Sequence, residues 1–327
     1  MHVRKLARYL DRFSRTRVLV IGDLILDQYI WGTVDRVSPE APVPVVQVES
    51  ESLRLGGAAN VYRNVVALGG QADVCGVVGR DEAGEALLRE LGLPRRGGNG
   101  IVVDASRPTT RKTRIVAHNQ QIVRFDVEQR TPVPTHLERK ILRYVASRLP
   151  DLSCVIVSDY AKGTITPSLM HQLRLMASMR NLPLVIDPKV DHLTYYHGAT
   201  LITPNTAEAT QAAIRLGIEQ PSIEQLGHAL RQKLDCQAVL ITRGEHGMSL
   251  YDTSGATWHI PAVARQVYDV TGAGDTVVGT MALALSAGAS LREAALLANQ
   301  AASVVVGMIG TAYVTQAQLK DALRDAV

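Results

Sequence analysis

Cysteine is rare in this chain. Cys75, Cys154 and Cys236 lie far apart in apolar surroundings, and none has metal-ligand spacing. That excludes a disulfide framework and a zinc motif, and it fits buried thiols in a reducing compartment. Aromatic residues make up only 4% of the chain, with two Phe and two Trp. No basic face is interleaved with aromatics and no recognised nucleic-acid motif occurs. The net charge of +4 therefore does not point to DNA or RNA. Positive charge concentrates only at residues 2–17 and 107–114, and it suits phosphorylated small molecules at least as well. Long apolar runs are missing too, since no stretch approaches the ~18 residues of a membrane span. Met1 to Arg17 alternates basic and apolar residues at helical spacing, without the continuous apolar core of a signal peptide. The reading is a cytoplasmic protein with neither membrane nor nucleic acid as partner. Gly-x-x-x-x-Gly-Lys-Ser/Thr and the protein-kinase motifs are absent as well. There is no obvious repeat and no low-complexity linker, so residues 1–327 are read as one domain.

What is present is a core-rich α/β pattern, with 46% hydrophobic and 20% charged residues. Val18 to Asp23 is a short continuous apolar run, as expected of a strand buried on both faces of a parallel sheet. It ends at Asp23, with Asp27 four residues on. Carboxylates at that end of a strand are placed to accept hydrogen bonds from a ligand, although either could simply cap a turn. Residues 28–55 are broken by Trp31-Gly32 and by the proline-rich run Ser38 to Pro44, so they read as a small β insertion. Leu55-Gly56-Gly57-Ala58-Ala59-Asn60 opens a helix. Gly56 and Gly57 allow a ligand close to the backbone, and Asn60 can bond a hydroxyl in both directions. Residues 101–104, 111–117 and 121–126 read as three short strands carrying Arg107, Arg111, Lys112, Arg114 and Arg124. Together with 28–55 they are expected to form a lid, spanning segments 28–55 and 100–127. Beyond residue 130 the rhythm is βα. Charged clusters follow the strands at Asp159 to Gly163, which includes Lys162, and at Asp187-Pro188-Lys189.

The densest signal is Tyr268-Asp269-Val270-Thr271-Gly272-Ala273-Gly274-Asp275-Thr276. A polar turn with two glycines runs into an apolar helical stretch. Successive N–H groups at such a turn and helix start form a site for an anion. A carboxylate inside that site repels the anion unless it has a task. Accepting a proton from a hydroxyl that attacks a bound phosphoryl group is such a task. The helix N-terminus is expected to favour the charged form of Asp275 and make it a weak base.

Asp-x-Thr-Gly-Ala-Gly-Asp-Thr resembles the C-terminal signature of the ribokinase-like (PfkB) family of sugar kinases. The resemblance extends from about Arg17 to the C-terminus. It implies a mostly parallel central sheet with helices on both faces and a small β lid. It makes Asp275 the catalytic base and the amides of Gly272, Ala273 and Gly274 the anion hole. Gly56-Gly57-Ala58-Ala59-Asn60, a Gly-Gly-x-x-Asn run, resembles the family's sugar-binding signature, and Asp27, with Asp23, would also bind sugar. Asn205 and Glu208, with Thr206 and Ala207 between them, match the Asn-x-x-Glu that serves Mg²⁺ and the ATP phosphates, in part through water; read alone, the pair is equally a helix cap. Thr242, Gly244, Gly247 and Asn299 are the remaining nucleotide candidates, and residues 309–312 could close that site. The resemblance leaves K⁺ activation open and implies a homodimer built through the lid.

Gly22 to Gly32 followed by Arg36 to Val45, with its Ser-Pro-Glu-Ala-Pro-Val-Pro run, is similar to the heptose 7-phosphate kinase branch of that family. A second phosphate on the sugar would need cations, supplied from Arg111, Lys112, Arg114, Lys162 and Lys189. Val190 stands where related kinases usually have Gly after the lysine, which weakens the case for Lys189. The alternatives are a kinase for another sugar or sugar phosphate, of fructose or ribose type, and a non-catalytic sugar-binding protein. Some relatives fuse an adenylyltransferase. No His-x-x-His motif occurs here, so that activity is expected on another polypeptide.

Overall fold

The computed structural model describes residues 2–94, 100–118, 120–219, 222–263, 268–308, 310 and 312–325. Ile309 and Thr311 of the segment expected to close the nucleotide site lie outside the described residues.

The central strand β1, Arg17–Gly22, explains the continuous apolar run. Val18 and Val20 enter one core while Leu19 and Ile21 enter the other, so neither face tolerates a polar residue. Around it lies a nine-stranded sheet. Its members in chain order are β1, then β4 (Gln71–Gly79), β5 (Ile101–Asp104), β8 (Cys154–Ser158), β9 (Leu184–Asp187), β10 (Leu201–Ile202), β11 (Ala238–Thr242), β12 (Met248–Asp252) and β13 (Thr257–Ile260). The spatial order is β13-β12-β11-β10-β9-β8-β1-β4-β5. Pairing is parallel from β11 through β5, and β12 and β13 join antiparallel.

A second sheet of four strands, in the order β3-β2-β6-β7, stands apart from the first. It comprises β2 (Leu24–Val37), β3 (Pro44–Gly57), β6 (Thr110–Ala117) and β7 (Gln120–Val127). The insertion expected at 28–55 is thus two long strands, whose 14 residues each extend to the sheet's rim. Ile101–Asp104 differs from expectation. It is the edge strand of the main sheet, paired parallel with β4, where both Ile101 and Asp104 are buried. An apolar isoleucine with one covered face suits that edge better than a solvated lid.

Ten helices are seen among the described residues. On one face lie α1 (His2–Leu10), α2 (Ala58–Ala67), α3 (Glu82–Glu90), α8 (Ala273–Ser286), α9 (Leu291–Val305) and α10 (Gln316–Asp325), which contribute to one core. On the other lie α4 (Thr135–Arg148), α5 (Pro167–Met179), α6 (Thr206–Arg215) and α7 (Ile223–Lys233). The βα rhythm lapses between β9 and β10, where a short 3₁₀ segment, Val190–Tyr196, takes the place of a crossover helix. α8 is apolar almost all round because it is buried almost all round, from Asp275 to Ala284. None of the described helices is long and apolar enough to cross a membrane.

Two strands neighbour β1 on opposite sides, β4 and β8, and their crossovers run to opposite faces. In such open sheets the ligand crevice lies beyond the carboxyl ends of the strands at this switch. Asp23 follows β1 there, Tyr160 follows β8, and Asp187 ends β9.

Candidate active site

Asp275 occupies the first turn of α8 and is 3% exposed. Its N-cap, Gly272, sits at φ 83°, a left-handed backbone that glycine adopts without strain. The turn before it is held by Asp269, which accepts from the N–H groups of Thr271 and Gly310, both at 2.9 Å. The Ala273 N–H donates to the Val270 carbonyl at 3.2 Å, which closes the turn. At Gly274 the space is open, with no heavy atom within 4 Å of where a Cβ would begin. An anion thus has room beside a helix start whose first N–H groups lack intrahelical acceptors.

Both oxygens of Asp275 have donors. Asn60 Nδ2 donates to Oδ2 at 2.7 Å and the Tyr160 hydroxyl to Oδ1 at 2.9 Å. One turn along α2 and one residue along α8 the link repeats, with Thr276 Oγ1 donating to Asn64 Oδ1 at 2.9 Å and Asn64 Nδ2 donating to the Asn60 carbonyl at 3.0 Å. Burial pushes the Asp275 pKa up to about 6, against the lowering by Asn60 and Tyr160. The weak base expected from the helix terminus is therefore corrected: desolvation of the buried carboxyl raises its pKa.

Gly56 of β3 stands opposite Ile25 of β2, and the Asp27 side chain reaches across diagonally to it. A Cβ on Gly56 would stand 2.2 Å from Asp27 Oδ2, so glycine is required for that carboxylate to lie where it does. Gly57 has φ +55°, and a Cβ there would lie 2.5 Å from the Asp23 carbonyl oxygen. Arg114 pairs with Asp27. Asp23 is committed to backbone, accepting from the N–H groups of Tyr160 at 2.8 Å and of Lys162 and Thr164 at 3.0 Å. Its carboxylate thereby holds the 160–164 loop.

Strand alternation sorts the candidate cations. In β6 Lys112 stands opposite Asp27 and Arg114 opposite Tyr29, so both share the face of Asp27. Arg111 stands opposite Leu26 on the other face, and its charge acts on Asp81 instead. The structure does not bring Arg111 to the site. Arg107 is buried and structural, donating to the carbonyls of Lys162 at 3.3 Å and Thr131 at 2.8 Å. Lys162 pairs with Glu128 at 2.6 Å, and Lys189 with Glu208 at 2.8 Å.

Beside Asp275 opens a cleft of about 660 Å³, bounded by Asp187, Asn205, Glu208, Thr242, Gly244, Gly247, Ala273, Gly274 and Asn299. Most of the residues expected to serve a nucleotide therefore line one space, and Val263, Val270, Val277, Ala302 and Val306 give it an apolar stretch of wall. Thr206 and Ala207 are exposed and do not line it. Asn205 and Glu208 do form a reciprocal cap at the start of α6, with Glu208 N–H to Asn205 Oδ1 at 2.9 Å and Asn205 N–H to Glu208 Oε2 at 3.1 Å. Asn299 donates to the Pro261 carbonyl at 2.8 Å, steadying the cleft wall. Burial raises Asp187 well above the carboxylate range, with Asp275 and Glu208 adding to the effect.

Sequence reasoning gives Tyr160 and Asn64 no role, and names Asp187 only as part of a charged cluster. Tyr160 stands in such a cluster too, two positions before Lys162. Asn64 was signalled only by being one turn from Asn60.

Sheet order, lid and the place of Asp275 at the crevice define the class, a ribokinase-like sugar kinase. The pfkB family carbohydrate kinase pattern matches residues 15–318. The chain belongs to that family of carbohydrate kinases. It is 43% identical over 319 residues to the bifunctional protein HldE of Citrifermentans bemidjiense, covering 98% of this chain and 66% of the relative. With HldE of Geobacter sulfurreducens it shares 46% over 306 residues, covering 93% and 62%. The chain thus spans less than two thirds of the length of these relatives. Among solved structures it is similar to Arabidopsis thaliana ribokinase complexed with ribose and ATP, at 18% identity with a TM-score of 0.71, covering 94% and 98%. Phosphofructokinase-2 of Escherichia coli gives 18% identity and a TM-score of 0.75, covering 95% and 99%. These two likenesses show the fold.

Proposed function

We propose that the chain transfers the γ-phosphoryl group of ATP to the C1 hydroxyl of D-glycero-D-manno-heptose 7-phosphate. The product, the 1,7-bisphosphate, would feed ADP-heptose and lipopolysaccharide core synthesis. The observation that carries the chemistry is the position of Asp275. It is buried between the cleft and the Asp27–Gly56–Asn60 group, and it is held at both oxygens. The heptose assignment is supported by the Ser38 to Val45 run, by similarity to HldE proteins, and by Lys112 and Arg114 on the lid face toward Asp27.

In this reading Asp27 and Asn60 orient the sugar, and Gly56 and Gly57 let it approach the backbone. Asp275 takes the proton of the attacking C1 hydroxyl. Its raised pKa makes it a better base near neutrality than a surface carboxylate would be. The open space at Gly274 and the α8 start receive the transferring phosphoryl charge. Asn205, Glu208 and Asp187 present oxygen donors to the same cleft, which suits Mg²⁺, a hard cation that keeps several waters and needs few protein ligands. Bound there with ATP, Mg²⁺ would supply charge neutralisation for the phosphates. Lys112, Arg114, Lys162 and Lys189 are the cations available for the sugar's own phosphate.

The outer face of the lid supports a homodimer. Val123, Phe125 and Val127 of β7 and Leu53 of β3 are exposed, from 36% to 47%. One of only two phenylalanines in the chain thus stands in solvent on a sheet face. The substrate reading is tested by ADP release with a panel of heptose 7-phosphate, fructose 6-phosphate, ribose and fructose. Preference for the first supports it, and turnover confined to another sugar removes the heptose assignment. Sugar binding without turnover on any would remove the kinase reading of this chain.

A further inference from the structure

Tyr160 touches three parts of the molecule. It follows β8 in the main sheet, and its loop is pinned by the Asp23 carboxylate. The next residue, Ala161, has φ +54° and donates to Asp159 Oδ1 at 2.8 Å, so the loop turns sharply just past the ring. The Tyr160 hydroxyl reaches Asp275 Oδ1, 115 positions away in sequence. Its ring lies under Lys112 Nζ of the lid, 5.2 Å from the centroid, and under Lys189 Nζ, 5.6 Å away. Lys189 in turn pairs with Glu208 in the wall of the cleft.

We propose that Tyr160 is the positioning residue of Asp275: its hydroxyl fixes one carboxylate oxygen and leaves the remaining lone pairs directed at the acceptor hydroxyl, and its ring ties that geometry to the lid through Lys112. The inference rests on the reading of Asp275 as the base. A carboxylate accepts about four hydrogen bonds, and Asn60 and Tyr160 take two of them, one at each oxygen. Tyr160 has a proton to donate, because burial and the charges of Asp275, Asp187 and Asp27 keep the phenol protonated. Other charged groups facing Asp275 are Asp27 from β2 and Lys112 from β6, and Asp187 lies at the end of β9. Lys112 is itself held below its ordinary pKa by burial.

The test reads the Asp275 carboxyl directly. Its ¹³C resonance, assigned by its loss in Asp275→Asn, is titrated in the wild type and in Tyr160→Phe, without substrate. A hydrogen bond to a charged group corresponds to a midpoint shift of about one to two units, upward when the donor is removed. Replacing Tyr160 with 2,3-difluorotyrosine, a stronger donor in the same volume, moves the midpoint downward. In turnover, Tyr160→Phe lowers kcat about tenfold and carries the acid limb upward, with sugar KM little changed. Opposite shifts in the two variants support the proposal. An unchanged midpoint in both, or a fall in sugar affinity with the midpoint unmoved, overturns it. If Tyr160→Phe does not fold, the difluorotyrosine arm decides. Full turnover in Asp275→Asn would instead discard the base reading, whatever Tyr160 does.

Discussion

Asn60 Nδ2 lies 2.7 Å from Asp275 Oδ2, a bond between the starts of α2 and α8. It joins the Gly-Gly-x-x-Asn segment to the Gly-Ala-Gly-Asp segment across 215 positions. Asn60→Ala removes a donor from a buried carboxylate and a ligand from the proposed sugar site. We expect kcat/KM for the sugar to fall by about tenfold or more, with nucleotide affinity unchanged. Steady-state kinetics beside nucleotide titration calorimetry check this, and an equal loss of nucleotide binding would contradict it.

The pKa of Asp275 sets a limb in the pH profile. A base with a pKa of about 6 is active above that value and silent below it, so kcat/KM should fall as pH drops through about 6. Stability runs the other way. The raised pKa means that the folded state binds a proton more tightly than the unfolded chain does. Stability is therefore greatest below the unfolded value near 3.8 and declines until about 6. Asp275→Asn relieves that penalty, by roughly 2–3 kcal/mol at most above pH 6. Melting temperatures should favour the variant at pH 8 and converge near pH 4. A variant less stable than wild type at pH 8 would contradict the burial argument.

His192 offers a contrasting sign. Its Nδ1 lies 2.7 Å from Asp159 Oδ2, which also accepts from the Tyr196 hydroxyl at 2.7 Å. The bond to Asp159 raises the His192 pKa, opposed by burial. Stability from this pair is fully present below the unfolded value of 6.5 and is lost as pH rises through the raised folded value. His192→Gln should lower the melting temperature more at pH 6 than at pH 9. A uniform loss at both would show that the imidazolium charge is irrelevant.

Phe125→Glu places a charge on the apolar outer face of the lid. Sedimentation velocity should show a shift from dimer to monomer. An unchanged sedimentation coefficient would remove the lid from the interface, or the dimer altogether.

Much of this site was legible in the sequence because short segments carry it. Gly272, Gly274 and Asp275 sit within four positions, and φ and helix-start chemistry explain each. The buried parallel strands were legible because they have no polar face. Less was legible where tertiary contact decides. Arg111 and Arg114 look alike in sequence, yet strand alternation sends them to opposite faces, and the alternation becomes useful only once the register with β2 is known. Asp23 looked like a sugar ligand, but three N–H groups of a loop from beyond β8 claim it. The helix terminus beside Asp275 is visible in the sequence, whereas the desolvated environment that raises its pKa is assembled from α2, β6 and the 160–164 loop.

The central claim is that Asp275 is the base in phosphoryl transfer to heptose 7-phosphate. ADP release from ATP and Mg²⁺ with that sugar should fall about 10²–10⁴-fold in Asp275→Asn, while calorimetry shows nucleotide binding intact. A near-normal rate in the variant would contradict the account.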